Sequence, residues 1–347
     1  KMINPKLDQH LEQQKKTKIT YLDKTFTTTH FLNISDAKCA ELRGQFYSKP
    51  SINKVNEQFT KLANGGKMVD KIVDYYLKGV MSKARLSTSK WSIDEFFKCN
   101  DLIRFAYGKI KNCSEFYKST DTDIKNIKMV LRLSPSGTAA KVSNFPYKTM
   151  IQILDKYNVN NNYYDFSCGW GVRLLATLSH KINYFGTDPN SELVPQLQSM
   201  GDDFKNITGC GNSVDIRCIG SENLVTDWVN KIGLAFSSPP YFDLEYYNIG
   251  EQSINNNNYQ EWLGKYWENT VNNIDKYLIN GGYFILNMKN IKKHNTLDDM
   301  CDIIKNKGFT FVENLELKNI NRIALKNAGV NSNEVLAVFR KGKYEKM

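Results

Sequence analysis

The sequence predicts an α/β protein: an open, mostly parallel sheet with helices on both faces, behind a mostly helical and strongly basic front part. Three observations carry that expectation. From about residue 147 onward, short apolar runs alternate with stretches of helical periodicity, the pattern that builds a parallel sheet. The first of those runs ends in a glycine pair and the fourth in a proline pair, each placed where a strand hands over to a loop. The charge is also segregated. Residues 1–150 hold 27 Lys/Arg against 14 Asp/Glu, whereas residues 151–347 hold 20 against 22, so the net +11 of the chain lies entirely at the front.

Taken in order, residues 1–60 read as irregular and polar, with short apolar clusters at Phe31-Leu32 and Phe46-Tyr47. After Gly65-Gly66, one helical face collects Met68, Val69, Ile72, Val73 and Tyr76. A basic stretch rich in hydroxyls follows at 81–90. Ser92 with Glu95 three residues on has the spacing of a capping box, opening helices that run to about 130. The α/β part then predicts a helix over 150–157 and strands over 163–166, 183–187, 214–219 and 233–237. A long helix over 262–278 follows, then a strand over 282–288, a helix over 297–307, and two strands over 310–317 and 334–340. With no helix between them, the last two should form an antiparallel hairpin at one edge of the sheet. The chain thus divides into a basic, mostly helical part over 1–140 and an α/β part over 141–347.

Composition excludes several classes. The apolar fraction of 41% and 42 aromatic residues suffice for a full core. No stretch has the roughly 18 apolar residues of a membrane span, and the beginning of the chain lacks the apolar run of a secretory signal, so a cytoplasmic protein is expected. The seven cysteines are irregularly spaced without a CxxC pair, and the four histidines lie far apart, so no metal site is expected. A basic half joined to a neutral half suits a part that grips a polyanion and a part that does chemistry.

Three constellations bear chemistry. The first, Asp165-Phe-Ser-Cys-Gly169-Trp-Gly171, is a strand running into a turn whose glycines let a ligand approach the backbone. Leu174 stands where a dinucleotide fingerprint would have its third glycine, which counts against a nicotinamide enzyme. The second is Asp188, an acid ending the next strand about 20 residues on, where it is placed to take the two hydroxyls of a ribose or to cap the following helix. The third is Ser238-Pro239-Pro240-Tyr241, a rigid loop at a strand's end. An exocyclic amino group of a base is a poor nucleophile because its lone pair is delocalised into the ring. Two acceptors, the Ser238 side chain and the Pro239 carbonyl, can hold its two hydrogens and turn the lone pair toward a methyl donor. Tyr241 or Phe242 then offers a ring on which an extruded base stacks.

The order of these motifs resembles the amino-methyltransferases of DNA, the N4-cytosine and N6-adenine enzymes, whose signature after the fourth strand is (Asp/Asn/Ser)-Pro-Pro-(Tyr/Phe/Trp). Ser237-Ser-Pro-Pro-Tyr-Phe-Asp-Leu-Glu245 is similar to phage-type members, and the resemblance spans about residues 140–342. It implies a Rossmann-like methyltransferase domain with a seven-stranded sheet, S-adenosylmethionine as cofactor and DNA as partner. Asn144-Phe145-Pro146 resembles the segment that packs over the methionine end of the cofactor. By the same resemblance Asp165 meets its ammonium, Phe166, Gly169 and Gly171 line its path, and Asp188 holds the ribose. Ser238, Pro239, Pro240 and Tyr241 hold and stack the base. Where relatives place an Asp for the cofactor adenine, this chain reads Gly220-Ser221-Glu222, which leaves Ser221 and Glu222 as alternatives. Serine at the head of the tetrad leans toward cytosine N4 over adenine N6. The basic front is expected to contact DNA through Lys83, Arg85, Lys90 and Arg132. An RNA substrate, or a non-catalytic DNA-binding subunit of the same fold, is the alternative.

Overall fold

The computed structural model describes residues 16–112 except 88, residues 124, 127, 131, 139 and 142, and residues 144–342 except 243, 244, 248–257, 292, 293 and 317–334. Its chain groups into two units: residues 1–48 with 82–142, and residues 49–81 with 143–347.

The first unit opens with a hairpin, β1 (Thr17–Tyr21) and β2 (Lys24–Thr28), paired antiparallel. The turn between them puts Leu22 and Asp23 both at positive φ, 48° and 57°. That is the twist a two-residue hairpin turn needs, but Leu-Asp lacks the Asn-Gly that would advertise it, and the sequence reading took this stretch as irregular. Among the described residues three helices follow: α1 (Asp36–Tyr47), α4 (Ile93–Lys98) and α5 (Asn100–Asn112). The α4 capping box forms as its spacing predicts. Ser92 Oγ accepts from the Glu95 N–H at 3.1 Å, and Glu95 Oε2 accepts from the Ser92 N–H at 2.8 Å. Leu42, Phe46, Trp91, Phe96, Phe97 and Ile103 close a core of their own.

Between those stretches the chain contributes α2 (Ile52–Ala63) and α3 (Asp70–Lys83) to the second unit. The division at residue 140 expected from composition therefore needs correcting. Residues 49–81 pack with the sheet-bearing part, because their apolar faces are spent there. Phe59 meets Phe204 edge-on with ring centroids 5.6 Å apart, and Tyr76 donates to Asp203 Oδ2 at 2.5 Å. Met68, expected on the buried face, precedes α3 and is exposed.

The second unit is a seven-stranded sheet. Its strands are β3 (Asn162–Asp165), β4 (Asn183–Thr187), β5 (Val214–Arg217), β6 (Ile232–Ser237), β7 (Leu278–Met288), β8 (Thr310–Glu316) and β9 (Val335–Arg340). The order across the sheet is β8-β9-β7-β6-β3-β4-β5. β7, β6, β3, β4 and β5 run parallel, and β9 is antiparallel to both neighbours. This is the expected seven-stranded Rossmann-like arrangement, antiparallel edge included. Every residue of central β6 is buried, as a strand covered on both faces must be.

The helices of this unit are α6 (Tyr147–Tyr157), α7 (Val172–Ser179), α8 (Leu193–Thr208), α9 (Tyr259–Trp262), α10 (Asn269–Tyr277) and α11 (Thr296–Asn306). α9 and α10 are joined by a π-helical turn, Leu263–Glu268. The aromatic core includes Tyr164, Phe166, Trp228, Trp262, Trp267 and Phe284. Among the described residues no helix is long and apolar enough to cross a membrane.

Candidate active site

The ends of β3 and β6 carry the site. The two strands are neighbours, with Tyr163 opposite Leu234 and Tyr164 opposite Ala235. Their C-terminal loops, the glycine turn and the serine–diproline turn, therefore emerge side by side.

In the glycine turn, Gly169 and Gly171 have φ of 56° and 73°. Gly171 is the N-cap of α7, and a Cβ there would lie 2.3 Å from Met200 Cε and 3.0 Å from Leu197 Cδ2. The positive φ demands glycine, and a Cβ would also push aside the tips of the Met200 and Leu197 side chains.

Beneath the turn lies a feature that the sequence reading missed. Arg173, one turn into the otherwise apolar α7, is buried and forks onto Asp165, Nε to Oδ2 at 2.8 Å and Nη2 to Oδ1 at 3.1 Å. Asp165 is fully buried and also accepts from the Tyr184 hydroxyl at 3.0 Å. The carboxylate expected to meet a cofactor ammonium thus has both oxygens bonded to Arg173 and Tyr184. Burial opposes the charge on Arg173, but the carboxylate beside it more than offsets that and holds the guanidinium protonated. Arg173 also donates to the Ser167 carbonyl and, at 3.2 Å, to Ser237 Oγ. Ser237 in turn donates to the Ser167 carbonyl at 3.1 Å. One guanidinium and one hydroxyl thus stitch the two loops together. A charged residue inside an apolar helix was the signal that could have found Arg173.

Phe166, expected beside the cofactor, packs in the core against Trp267 and Phe284. Phe145 is half-buried, edge-on to Phe236 at 5.1 Å with the Arg173 guanidinium 5.9 Å from its ring, and Pro146 is the N-cap of α6.

Asp188 follows β4. Its Oδ2 accepts from the Gly169 N–H at 3.4 Å and its Oδ1 from the Asn190 N–H at 3.1 Å. Asp188 does not itself cap α8, whose N-cap is Glu192; Asn190 Oδ1 accepts from the Glu192 and Leu193 N–H groups at 3.0 and 3.2 Å. Burial pushes the Asp188 carboxyl up to about 6, while the Gly169 and Asn190 N–H groups pull the other way. Ser221 is buried and bonds the Thr270 hydroxyl at 2.8 Å, away from a ligand role. Glu222 is half-buried, its carboxylate folded over Gly220. The Tyr266 hydroxyl, on the π-helical turn, is buried without a hydrogen bond of good geometry, beside Ser221, Ser167, Glu222 and Asp188. A buried polar atom left open in this way is the mark of a place where a ligand or water completes the bonding. π turns recur at functional sites.

In the serine–diproline turn, Ser238 is half-buried and accepts from Asn287 Nδ2 on β7 at 2.7 Å. Pro239 is buried, and Pro240 and Tyr241 are half-buried. The Lys289 ammonium lies 5.7 Å from the Tyr241 ring. Phe242 takes φ of 35°, a left-handed conformation costly for a residue with a side chain, and its ring is engaged by Tyr259 and Trp262. Tyr241 also packs against the aromatic core.

The expected nucleic-acid contacts fare unevenly. Lys90 donates to the Thr25 carbonyl and Arg85 to the Ser89 carbonyl at 3.0 Å, so both spend donors on their own fold. Lys83 is half-buried at the end of α3. Arg132 lies outside the described residues. The α2–α3 hairpin carries a groove of about 550 Å³ lined by Lys54, Lys61, Lys67, Lys71, Glu57 and Met68, whose lysines the sequence did not single out. Among the described residues no group of three or more His, Cys, Asp or Glu could hold a metal ion.

The sequence matches no protein-family model and no curated protein. Similar solved structures include the [4+2]-cyclase SpnF, at 11% identity and TM-score 0.41, covering 57% of this chain and 81% of that one. They also include a TehB-like S-adenosylmethionine-dependent methyltransferase from Corynebacterium glutamicum, at 13% identity and TM-score 0.39, covering 56% and 87%. A third is the N-methyltransferase NodS from Bradyrhizobium japonicum, at 12% identity and TM-score 0.37, covering 57% and 94%.

Proposed function

We propose that this chain is an S-adenosylmethionine-dependent methyltransferase acting on the exocyclic amino group of a base in DNA, cytosine N4 ahead of adenine N6. The observation that supports it most is the stitching of the glycine turn to the serine–diproline turn through Ser237 and Arg173. A methyl donor held by the first turn and an amine held by the second would then meet face to face.

The residues fit the cofactor. The buried Asp188 carboxylate suits ribose hydroxyls, Gly169 and Gly171 open the backbone beside it, and Glu222 and the unpartnered Tyr266 hydroxyl lie at the same end. When bound, the cofactor supplies an electrophilic methyl on a sulfonium. The chain supplies position: Ser238 Oγ and the Pro239 carbonyl accept the two amine hydrogens, which draws the nitrogen toward a tetrahedral shape, and Tyr241 stacks on the base. The segregated positive charge supports a polyanionic partner. Residues 1–48 and 82–142 together hold 20 Lys/Arg against 11 Asp/Glu.

The test is methyl transfer from radiolabelled S-adenosylmethionine to DNA and to RNA in parallel, with product nucleosides identified by mass spectrometry. N4-methylcytosine or N6-methyladenine in DNA is expected. Label in RNA alone would move the substrate to RNA. Cofactor binding without transfer to either polymer would point to a non-catalytic subunit. Ser238→Ala should cut turnover at least about tenfold, the worth of one well-placed hydrogen bond, while cofactor affinity holds.

A further inference from the structure

The polar residue Asn287 stands in the apolar run Phe284-Ile-Leu-Asn-Met288 of β7. Its side chain is 2% exposed, and its Nδ2 donates to Ser238 Oγ at 2.7 Å. Its Oδ1 is buried and has no partner among the described residues. An amide that served only the fold would not be left half satisfied in the interior of a strand, where an unmet acceptor is costly. Ser238, for its part, gives its proton to no acceptor among the described residues. A hydroxyl has one proton and two lone pairs. With one lone pair committed to Asn287, the group has one lone pair and one proton left, and the fixed bond sets the direction of both.

We infer that Asn287 is a positioning residue: it aims the Ser238 hydroxyl so that its free lone pair accepts from the target amine and its proton is donated to an unprotonated ring nitrogen next to that amine. This rests on the reading of Ser238 as the residue that holds the amine, and it narrows the substrate to an amino group flanked by a ring nitrogen acceptor. Cytosine N4 beside N3 and adenine N6 beside N1 both have this edge. No covalent step is added; the hydroxyl proton stays on Ser238 throughout.

A double-mutant cycle tests the inference on the full chain, with Asn287→Ala, Ser238→Ala and the pair assayed for kcat, KM and cofactor Kd. Asn287→Ala should lower kcat by on the order of tenfold, with cofactor Kd within about twofold of the parent. Added to Ser238→Ala it should change kcat by less than about twofold, because the hydroxyl it aims is already gone. A second full loss in that background would mean that Asn287 acts on the fold and not through Ser238, and would overturn the inference. If Asn287→Ala does not fold, Asn287→Asp keeps the volume and replaces the donor by an acceptor, and the same cycle is run with it. The outcomes separate cleanly from those of the parent reading: a parent chain without amine methylation sinks the function, and an active parent with an additive cycle sinks only the role of Asn287.

Discussion

Replacing Asp188 by asparagine should strengthen the fold and weaken the cofactor site at once. Burial lifts the Asp188 carboxyl from its ordinary 3.8 to about 6, so ionising it in the folded chain costs roughly 3 kcal/mol. The folded value is the raised one. Its favourable contribution is therefore fully present below about pH 4 and is lost as pH rises through about 6. Asparagine removes the charge and keeps one carbonyl oxygen, so the N–H bond from either Gly169 or Asn190 is lost, at about 1 kcal/mol. The ligand-free variant should then be about 1–2 kcal/mol more stable than the parent at pH 7.5, and no more stable near pH 4. Binding moves the other way. Hydrogen bonds from ribose hydroxyls to a carboxylate are charge-assisted, each worth about 1.5–3 kcal/mol, so Kd for S-adenosylmethionine should rise about tenfold or more. In the parent, Kd should also weaken by about tenfold per pH unit below 6 as the carboxylate takes up its proton, and the variant should lose that slope. Urea unfolding of the ligand-free chains and calorimetric titration from pH 5 to 8 measure both effects. A variant less stable than the parent at pH 7.5, or a parent whose affinity is flat across that range, refutes the assignment.

Three further outcomes are expected. Gly171→Ala should destabilise by about 2 kcal/mol or more, read as a drop in the urea midpoint, since the new methyl strains a positive φ and meets Met200. Arg173→Met should cost about 3–5 kcal/mol by leaving Asp165 buried and unpaired, and adding Asp165→Leu should recover much of the loss; a double variant as unstable as the single one would contradict this. Changing Lys54, Lys67 and Lys71 of the α2–α3 groove together to Gln should weaken DNA binding and flatten its log–log salt dependence by about 2–3, with cofactor affinity unchanged. An unaltered salt slope would show that the groove does not meet phosphates.

Much of the α/β part could be read from the sequence because its strands are short apolar runs with glycine or proline at their ends. β4 over 183–187 and the final hairpin fall where the pattern put them. The front was harder. The hairpin β1–β2 turns on Leu22-Asp23, and α1 begins after Ser35, whose Oγ accepts from the Lys38 N–H, a cap easily passed over in a polar stretch. At the site, motif position brings Gly169, Gly171, Asp188 and the 238–241 turn to attention. Motif position cannot say which way a side chain points, and Asp165 and Phe166 prove to be interior. Arg173 and Asn287 betrayed themselves only as polar residues in apolar company, and that signal becomes meaningful once a buried partner is known.

The excursion of α2 and α3 into the sheet-bearing unit has a practical consequence for dissecting the molecule. Cutting the gene at residue 140 would strip Phe59 from Phe204 and Leu77 from the back of Gly171, so the α/β fragment would carry a raw apolar face and fall out of solution. A usable fragment would begin at residue 49, keep the two helices, and rejoin 81 to 143 through a flexible tether. Its complement would need 48 rejoined to 82.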